Sequence, residues 1–290
     1  MKLKKIAKVL LSCVMAGALF TGCGGGGGGD KPADTSSSSR EIKLGMIAHL
    51  NATEKRMEDI LKMVQEDSKV PVSKYAITYY DSLKLMAMGI ESGSVDQVSL
   101  YSSVADYVVA NNDKFEIVSD DITLKTLSDN FCFAVRKDDA ALKADLDKVI
   151  GEMKADGSLD KLISDYITNI DEKQAPPAVE IPAIDGADTI KIGITGDLPP
   201  LDLILADNSP AGFNTALLAE IAKRLDKNIE IVEIHSGARA TALSSKSIDV
   251  IFWVAVPNGD KVPADVDKPE GVELSAPYFK DNVAHLKLKK

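Results

Sequence analysis

Side chains that could carry out covalent or metal chemistry are few in this 290-residue chain, and they do not cluster. The histidines His49, His235 and His285 are scattered, each on or beside a predicted strand, without the ligand spacing of a zinc site. Cys132 lies in the apolar run FCFAV, which favours a buried small hydrophobe over a reactive thiol. The sequence has no G-x-S-x-G motif and suggests no acid–base pair. We therefore predict that the protein is not an enzyme and needs no cofactor or metal.

What the chain does offer is side chains that could line a binding cleft. In an α/β protein a ligand binds at the carboxyl ends of the strands, so residues after Ile47, Leu100, Ile194 and Trp253 should face it. The predicted lining is apolar and aromatic, with a few polar points. The candidate ligand-binding residues are Thr195, Leu198, Trp253, Val254, Val256, Lys261, Asn51, Thr53 and Tyr101.

Several of these candidates have a plainer alternative that the sequence leaves open. Trp253 and Tyr101 could be packing residues, and Lys261 could be a solvated loop lysine. Asn51 is predicted to cap a helix, and the amides of that cap could also meet an anion.

The elements that must position these residues alternate between strand and helix. In residues 189–279, strands are predicted at Ile190–Ile194, Ile229–Ile234 and Ile248–Val254, and a helix at Ala216–Leu225. This order is typical of a parallel sheet with helices on its faces, that is, of an α/β fold. A second α/β unit is predicted to begin at Glu41. Its elements are strands at Ile42–Ile47, Tyr75–Tyr80 and Val95–Leu100, and helices at Asn51–Val64 and Ser82–Ile90.

The N-terminal segment is predicted to be a secretory leader followed by a tether. Lysines precede an apolar run, Ile6 to Phe20, that is too short for a comfortable membrane span. Thr21-Gly22-Cys23 resembles a lipobox, so residues 1–22 are predicted to be a lipoprotein signal peptide and Cys23 the lipidated N-terminus. An ordinary signal peptide cut elsewhere is the alternative. Residues 23–40 are rich in glycine and serine and would form a flexible tether that reaches about 20–25 Å.

The composition is that of an acidic globular protein. The formal net charge of −10 becomes −14 once the four lysines of the predicted leader are removed. Nucleic-acid binding needs a basic face that neutralises phosphates, so we predict no nucleic-acid partner. With 45% hydrophobic residues, the chain can bury a core in one large or two smaller domains.

The motifs of residues 189–279 resemble a known family. The run contains IKIGITGDLPP, AGFNTALLAEIAKRL, SIDVIFW and LSAPYF, in that order. It is similar to the first lobe (lobe 1) of type II extracytoplasmic solute-binding proteins, in the amino-acid-binding (family 3) branch. The pattern of that family is a strand with PPF, then GFD with a helix, a G-x-x-D strand and S-x-PY. The resemblance implies a two-lobed periplasmic-binding-protein type II α/β fold, with the solute between the lobes.

The N-terminal half resembles the second lobe (lobe 2) of the same family, so the lobes come in reversed order. The segment LMAMGIESGSVDQVSLYSSVADYVV resembles lobe 2, and FCFAVRK followed by KADGSLDKLI resembles the strand and closing helices that return to lobe 1. We interpret this as a circular permutation, and two truncated tandem copies are the alternative. The predicted segments are a lobe 2-like unit at 41–130, a hinge strand with helices packing on lobe 1 at 131–168, a linker at 169–188, a lobe 1-like unit at 189–279 and a second hinge strand at 280–290.

The permutation predicts two features of the structure. The segments Phe131–Lys137 and Asp281–Lys290 should lie side by side as hinge strands. Lys290 should also lie within about 15 Å of Glu41, because a few residues would once have joined them.

The resemblance also implies where the ligand contacts of the family fall. Family members hold the carboxylate of an amino acid with an arginine of lobe 1 and its ammonium group with an aspartate of lobe 2. Those positions correspond to Lys261 and Tyr101, and Asn214 stands at the GFD aspartate. Lysine lacks the bidentate fork of arginine, and tyrosine offers no charge to an ammonium group. We therefore predict that standard α-amino acids bind weakly or not at all.

These features predict a monomeric, lipid-anchored, extracytoplasmic solute-binding protein of the cell envelope. It would deliver a small polar, amino-acid-like or modified solute to an ABC permease by hinge closure. One alternative is a lipoprotein with a degenerate cleft that acts in sensing or protein contacts. The other is a cleft enzyme of the same fold, such as a dehydratase.

Overall fold

The computed structural model describes residues 41–48, 62, 74–119, 128–258 and 268–290. Several predicted features lie outside the described residues: the signal peptide, the tether with Cys23, the helix at Asn51–Val64, and the candidate binding residues Asn51, Thr53 and Lys261. Within the described ranges, no helix is long and apolar enough to cross a membrane.

Lobe 2 is built from the N-terminal part of the chain. Its elements are β1 (Ile42–Ile47), β2 (Tyr75–Tyr80), α1 (Leu83–Glu91), β3 (Gln97–Tyr101), α2 (Ser102–Asn111) and β4 (Phe115–Ile117). Burial alternates along β3, where Val98 and Leu100 point into the core. β1, β2 and β3 are parallel, as the strand–helix–strand pattern predicts.

Lobe 1 is built from the rest of the chain up to the last strand. Its elements are β5 (Ser128–Arg136), α3 (Ala140–Ala155), α4 (Ser158–Ile163), β6 (Thr189–Ile194), β7 (Asp197–Leu198), β8 (Asp202–Ile204), β9 (Pro210–Ala211), α5 (Phe213–Leu225), β10 (Asn228–Glu233), α6 (Arg239–Ser244), β11 (Val250–Pro257) and β12 (Val272–Leu274). The last strand, β13 (Phe279–Leu288), runs from lobe 1 into lobe 2.

The two lobes share one sheet topology. In lobe 1 the order is β10-β6-β11-β5, and β12 also pairs with β5. In lobe 2 the order is β2-β1-β3-β13, and β4 also pairs with β13. Each sheet therefore has three parallel strands followed by an antiparallel strand that also reaches the other lobe. The carboxyl ends of the parallel strands carry the candidate site in both lobes.

The strands β5 and β13 join the lobes over a short crossing. They pair antiparallel from Phe131↔Phe279 to Ser128↔Asn282. The predicted pairing of Phe131–Lys137 with Asp281–Lys290 is therefore corrected. Beyond the crossing each strand joins the sheet of its own lobe, so β5 pairs with β11 and β12, and β13 pairs with β3 and β4.

The registers of β1 and β13 on β3 also show where Glu41 and Lys290 lie relative to each other. β3 lies between β1 and β13, and both Glu41 and Lys290 continue toward the start of β3. Two inter-strand spacings are about 10 Å, so Glu41 and Lys290 lie about that far apart, at the same end of the lobe 2 strands.

Helices α3 and α4 pack on the later part of lobe 1, built from residues 189–279. Lys154 Nζ donates to the carbonyl of Pro277 at 2.6 Å, and Arg224 of α5 pairs with Asp156 at 2.8 Å. The apolar face of α3 is buried at Leu146, Ile150 and Met153. Together with lobe 1 residues such as Leu217, these side chains belong to one apolar cluster.

The linker between α4 and β6 runs along lobe 1. The amide of Val179 donates to the carbonyl of Pro210 at 2.9 Å. Asn228 of β10 holds the linker at Ile184 with one accepted and one donated hydrogen bond, at 2.8 and 2.9 Å. These bonds fix the connection along the β10 edge of the sheet.

Candidate functional site

Two of the described candidate residues, Tyr101 and Trp253, lie where the two lobes meet. Tyr101 ends β3 of lobe 2, while Trp253 lies within β11 of lobe 1. Their ring centroids are 6.0 Å apart, and the rings are nearly perpendicular. Phe131 of β5 stacks on Trp253 at 3.7 Å, and Phe279 of β13 lies 5.9 Å from Trp253. We call these four residues the aromatic cluster, and they occupy the crossing of the two hinge strands.

Trp253 contributes mainly to packing. Its side chain stacks on Phe131, and the residue is only 9% exposed. Its φ of 67° lies in the left-handed region, which costs about 1–3 kcal/mol for a residue with a side chain. The β5–β11 register shifts between Ile251 and Val254, and the amide of Trp253 donates to Tyr278 Oη at 3.2 Å. The stacking and this hydrogen bond hold the strained conformation.

The side chains of two other candidate residues, Val254 and Thr195, are buried within lobe 1. Val254 is fully buried beside Leu243 and Ile248, in a second apolar cluster. Thr195 is buried, and its hydroxyl donates to Asp202 Oδ2 at 3.2 Å. The candidates Leu198 and Val256 are half-buried in β7 and β11.

Asp202 organises the turn after β6. Its Oδ2 accepts hydrogen bonds from the amides of Thr195 and Gly196, both at 3.1 Å, as well as from the Thr195 hydroxyl. Its Oδ1 is buried without a hydrogen-bond partner. Burial raises the pKa of this carboxyl to about 6, although the three hydrogen bonds oppose the shift. This aspartate shapes the loop that carries Asp197 and Leu198 toward lobe 2.

Asp197 reaches lobe 2 directly. Its Oδ2 accepts a hydrogen bond from the amide of Leu83, the first residue of α1, at 2.7 Å, and it also accepts from the amide of Lys84. The lobes also come close together at Gly237 of lobe 1, where an added Cβ atom would lie 3.2 Å from Asp81 Oδ1 of lobe 2. Burial raises the pKa of Asp197, and Glu233 adds to the increase. The lobes therefore touch through polar groups on this side.

Two more carboxylates lie at the hinge. Tyr101 Oη donates to Asp129 Oδ2 at 2.6 Å, and Ser103 donates to Asp281 Oδ2 from its hydroxyl at 2.6 Å and from its amide at 3.1 Å. Asp129 and Asp281 are directly opposed in the β5–β13 ladder. Burial raises the pKa of Asp281. The position at which the resemblance implies an ammonium-binding aspartate is therefore a tyrosine bonded to a carboxylate from another strand.

The sequence interpretation missed the aspartates at 129, 197, 202 and 281. A signal was available for Asp197, which follows the carboxyl end of β6. The other three gave no local signal, because their partners come from distant strands or from a turn. Among the described residues, no group of three or more histidine, cysteine, aspartate or glutamate side chains could hold a metal ion.

Residues 190–258 match the family model of bacterial extracellular solute-binding proteins, family 3. This match confirms the resemblance over the segment from β6 to β11. The fold class predicted from the sequence, a two-lobed α/β fold of the periplasmic-binding-protein type II class, is confirmed as well. The permuted order of the lobes stays a prediction. No curated protein matches the chain.

Similar solved structures include three bacterial proteins. The ligand-binding component of an ABC-type import system from Staphylococcus aureus, with zinc bound, is 12% identical with a TM-score of 0.41, and the match covers 85% of this chain and 65% of that one. The chain thus spans less than two thirds of that protein. A putative L-cystine ABC transporter from Listeria monocytogenes is 11% identical (TM-score 0.39; coverage 86% and 83%). The GluR0 ligand-binding core from Nostoc punctiforme, in complex with L-glutamate, is 9% identical (TM-score 0.38; coverage 86% and 85%).

Proposed function

From the match of residues 190–258 to a family of bacterial extracellular solute-binding proteins, we propose that this protein is the solute receptor of an ABC importer. It is held at the outer face of the cell membrane by a lipid on Cys23. It binds a small polar solute between its lobes, and closure about the hinge presents the loaded form to the permease. We propose no catalytic role, because the matching family is one of binding proteins.

One structural observation supports this function most directly. Two α/β sheets of the same topology present the carboxyl ends of their parallel strands at one crossing, formed by β5 and β13. Ligands of α/β proteins bind at such ends, and a two-strand crossing permits closure of one lobe on the other. Leu198, Val256 and Tyr101 are the described candidates with side chains that are only partly buried there.

The solute is proposed to be polar and amino-acid-like or modified, but not a standard α-amino acid. Tyr101 is neutral, so it offers no negative charge to an ammonium group. Its hydroxyl donates to Asp129 at 2.6 Å. Lys261, a point charge without a bidentate fork, is the proposed carboxylate partner. A zwitterion that lacks one of its charge partners loses about 2–5 kcal/mol of binding free energy.

Thermal melts and calorimetry test this proposal on protein that has been unfolded, dialysed and refolded to remove bound solute. We expect none of the twenty amino acids to bind with submicromolar affinity. We expect another class of small polar solute to raise the melting temperature by mass action, by an amount that grows with its concentration. Submicromolar binding of any standard amino acid would contradict the proposed solute class. If no solute in a broad panel stabilises the protein, the transport function fails.

A second function is favoured by the packing at the crossing. Trp253 is stacked on Phe131, and Asp197 occupies the amides at the start of α1, so groups that could meet a solute contact one another instead. A lipoprotein that acts in sensing or protein contacts would need no solute. The same melts separate the two functions, because only a receptor gains stability from a small molecule.

We also propose that the lobes stand in circularly permuted order. The packing of α3 and α4 on the segment 189–279 and the position of Glu41 and Lys290 at the same end of the lobe 2 strands support it. A chain that starts at residue 189, joins Lys290 to Glu41 by a short glycine linker and ends at residue 168 should fold, with a melting temperature within a few degrees of the original. As a control, a chain opened inside α3 should lose its cooperative transition. Failure of the rejoined chain to fold would favour tandem fragments.

A further inference from the structure

Helix α1 of lobe 2 begins without an acidic side chain of its own. The nine residues Leu83–Glu91 carry no acid in the first turn, and the side chain of the cap residue Ser82 accepts from the amide of Leu85, at 3.2 Å. The amides of Leu83 and Lys84 point out of the helix, where its dipole favours negative charge. Lobe 1 supplies that charge, because Asp197 accepts from both amides.

We propose that Asp197 is a built-in closing contact, a carboxylate of lobe 1 that caps α1 of lobe 2 and holds the lobes together when no solute is bound. This inference rests on the proposed function only in taking lobe closure as the relevant motion. The contact joins residues 114 positions apart in the chain. Opening the lobes must break it, because Asp197 belongs to β7 of lobe 1 and Leu83 to α1 of lobe 2.

The groups around the Asp197 contact favour the closed arrangement of the lobes. The loop that carries Asp197 is fixed by Asp202, which accepts from the amide of Gly196 at 3.1 Å. Beside it, Gly237 leaves room for Asp81, since a Cβ atom there would lie only 3.2 Å from Asp81 Oδ1. The lobe 1 side of the contact is thus held by its own lobe, so the carboxylate loses little freedom on capping the helix.

The expected size of the effect follows from the type of bond. Hydrogen bonds to a charged group are worth more than neutral ones, and removing this pair should shift the ratio of closed to open molecules about tenfold or more toward open. A solute that needs the closed form would then bind more weakly, in proportion to the fall in the closed fraction, because the protein no longer supplies part of the closing equilibrium.

The test measures the distance between the lobes in solute-free protein. Spin labels at Met88→Cys on α1 and Ser244→Cys on α6 occupy exposed positions of the two lobes, while Cys132 is buried. Pulsed electron–electron double resonance should give one narrow, short distance between the two labels when Asp197 is unchanged. Asp197→Ala should add a second, longer distance that is clearly populated. Asp197→Asn, which keeps one neutral acceptor, should lie between the two.

Two controls separate capping from other effects. Asp207 is also a lobe 1 aspartate that accepts from a backbone amide, at 3.0 Å, but its partner Ser209 lies in its own turn. Asp207→Ala should therefore leave the distance unchanged. Adding acetate to Asp197→Ala supplies a free carboxylate and should restore the short distance, whereas chloride at the same ionic strength should not.

A long distance in the unchanged protein, or a short one in Asp197→Ala, would overturn the proposal. A failed solute panel combined with an acetate-rescued closure would instead remove the transport function and leave this contact standing.

Discussion

Replacing Asp202 with asparagine should remove a loss of stability that the unchanged protein suffers between about pH 4 and pH 6. Burial raises the pKa of Asp202 from its ordinary value of 3.8 to about 6 in the folded state. The folded protein therefore holds this proton more tightly than the unfolded chain does. The stabilisation is fully present below about pH 4, and it is lost as the pH rises through 6. The shift corresponds to about 3 kcal/mol of unfolding free energy.

Urea unfolding of both proteins at pH 4, 5, 6 and 7 gives the difference directly. Asparagine does not titrate, so Asp202→Asn should gain about 3 kcal/mol relative to the unchanged protein over this range. Its amide oxygen can still accept from Thr195 and Gly196. Asp281, whose pKa burial also raises, is present in both proteins and cancels in the difference. The charge of Asp197 contributes to the raised pKa of Asp202, so it is part of the measured effect.

Asp156 provides a control of opposite sign. Hydrogen bonds from Ser158 and Arg224 lower the pKa of its exposed carboxyl to about 2. The stabilisation from Asp156 is therefore present above about pH 4 and disappears as the pH falls toward 2. Asp156→Asn should run parallel to the unchanged protein between pH 4 and 7. Parallel curves for Asp202→Asn over the same range would show that its carboxyl is not desolvated in the fold.

Replacing Cys23 with serine should move nearly all of the protein from the membrane fraction to the soluble fraction. Burial of acyl chains contributes about 0.8 kcal/mol per methylene, and two chains are needed for stable attachment. Serine accepts no such lipid. The described helices provide no substitute, because none of them is long and apolar enough to span a membrane.

Fractionation of cells that express each variant is the measurement, followed by mass analysis of the N-terminal peptide. Cys132→Ala is the matched control, since Cys132 is buried in β5 and carries no predicted lipid. It should stay in the membrane fraction. Retention of Cys23→Ser at the membrane would contradict lipid anchoring and favour an ordinary signal peptide cut elsewhere.

The elements of the fold were predictable because their patterns are local. Apolar residues at alternate positions marked β6 and β10, and helical spacing marked α5. The predicted start of α5 at Ala216 was late by three residues. The helix begins after Gly212, whose φ is 93° and where a Cβ atom would lie 2.5 Å from the carbonyl oxygen of Pro200. Only glycine fits there, and this close backbone approach leaves no periodic signal.

The candidate site was predicted less well because its contacts are not local. The register of β11 shifts at Trp253, so simple alternation could not assign the faces of Trp253 and Val254. The pairing of Asp197 with α1 joins different lobes, and no spacing rule connects positions so far apart. Residues that follow a strand are predictable as a group, but which of them already bond to each other is decided by tertiary packing.

The position of β1 determines how a pull on the chain enters the molecule. Any force from the N-terminal side arrives at Glu41 and passes into β1, which lies between β2 and β3 and matches β2 at six consecutive positions. Force along this strand loads those hydrogen bonds in shear, so they must fail together rather than one after another. Lobe 2 would therefore be the lobe that stays fixed at the point of attachment. Lobe 1, attached through the crossing of β5 and β13, would be the lobe that rotates about the hinge.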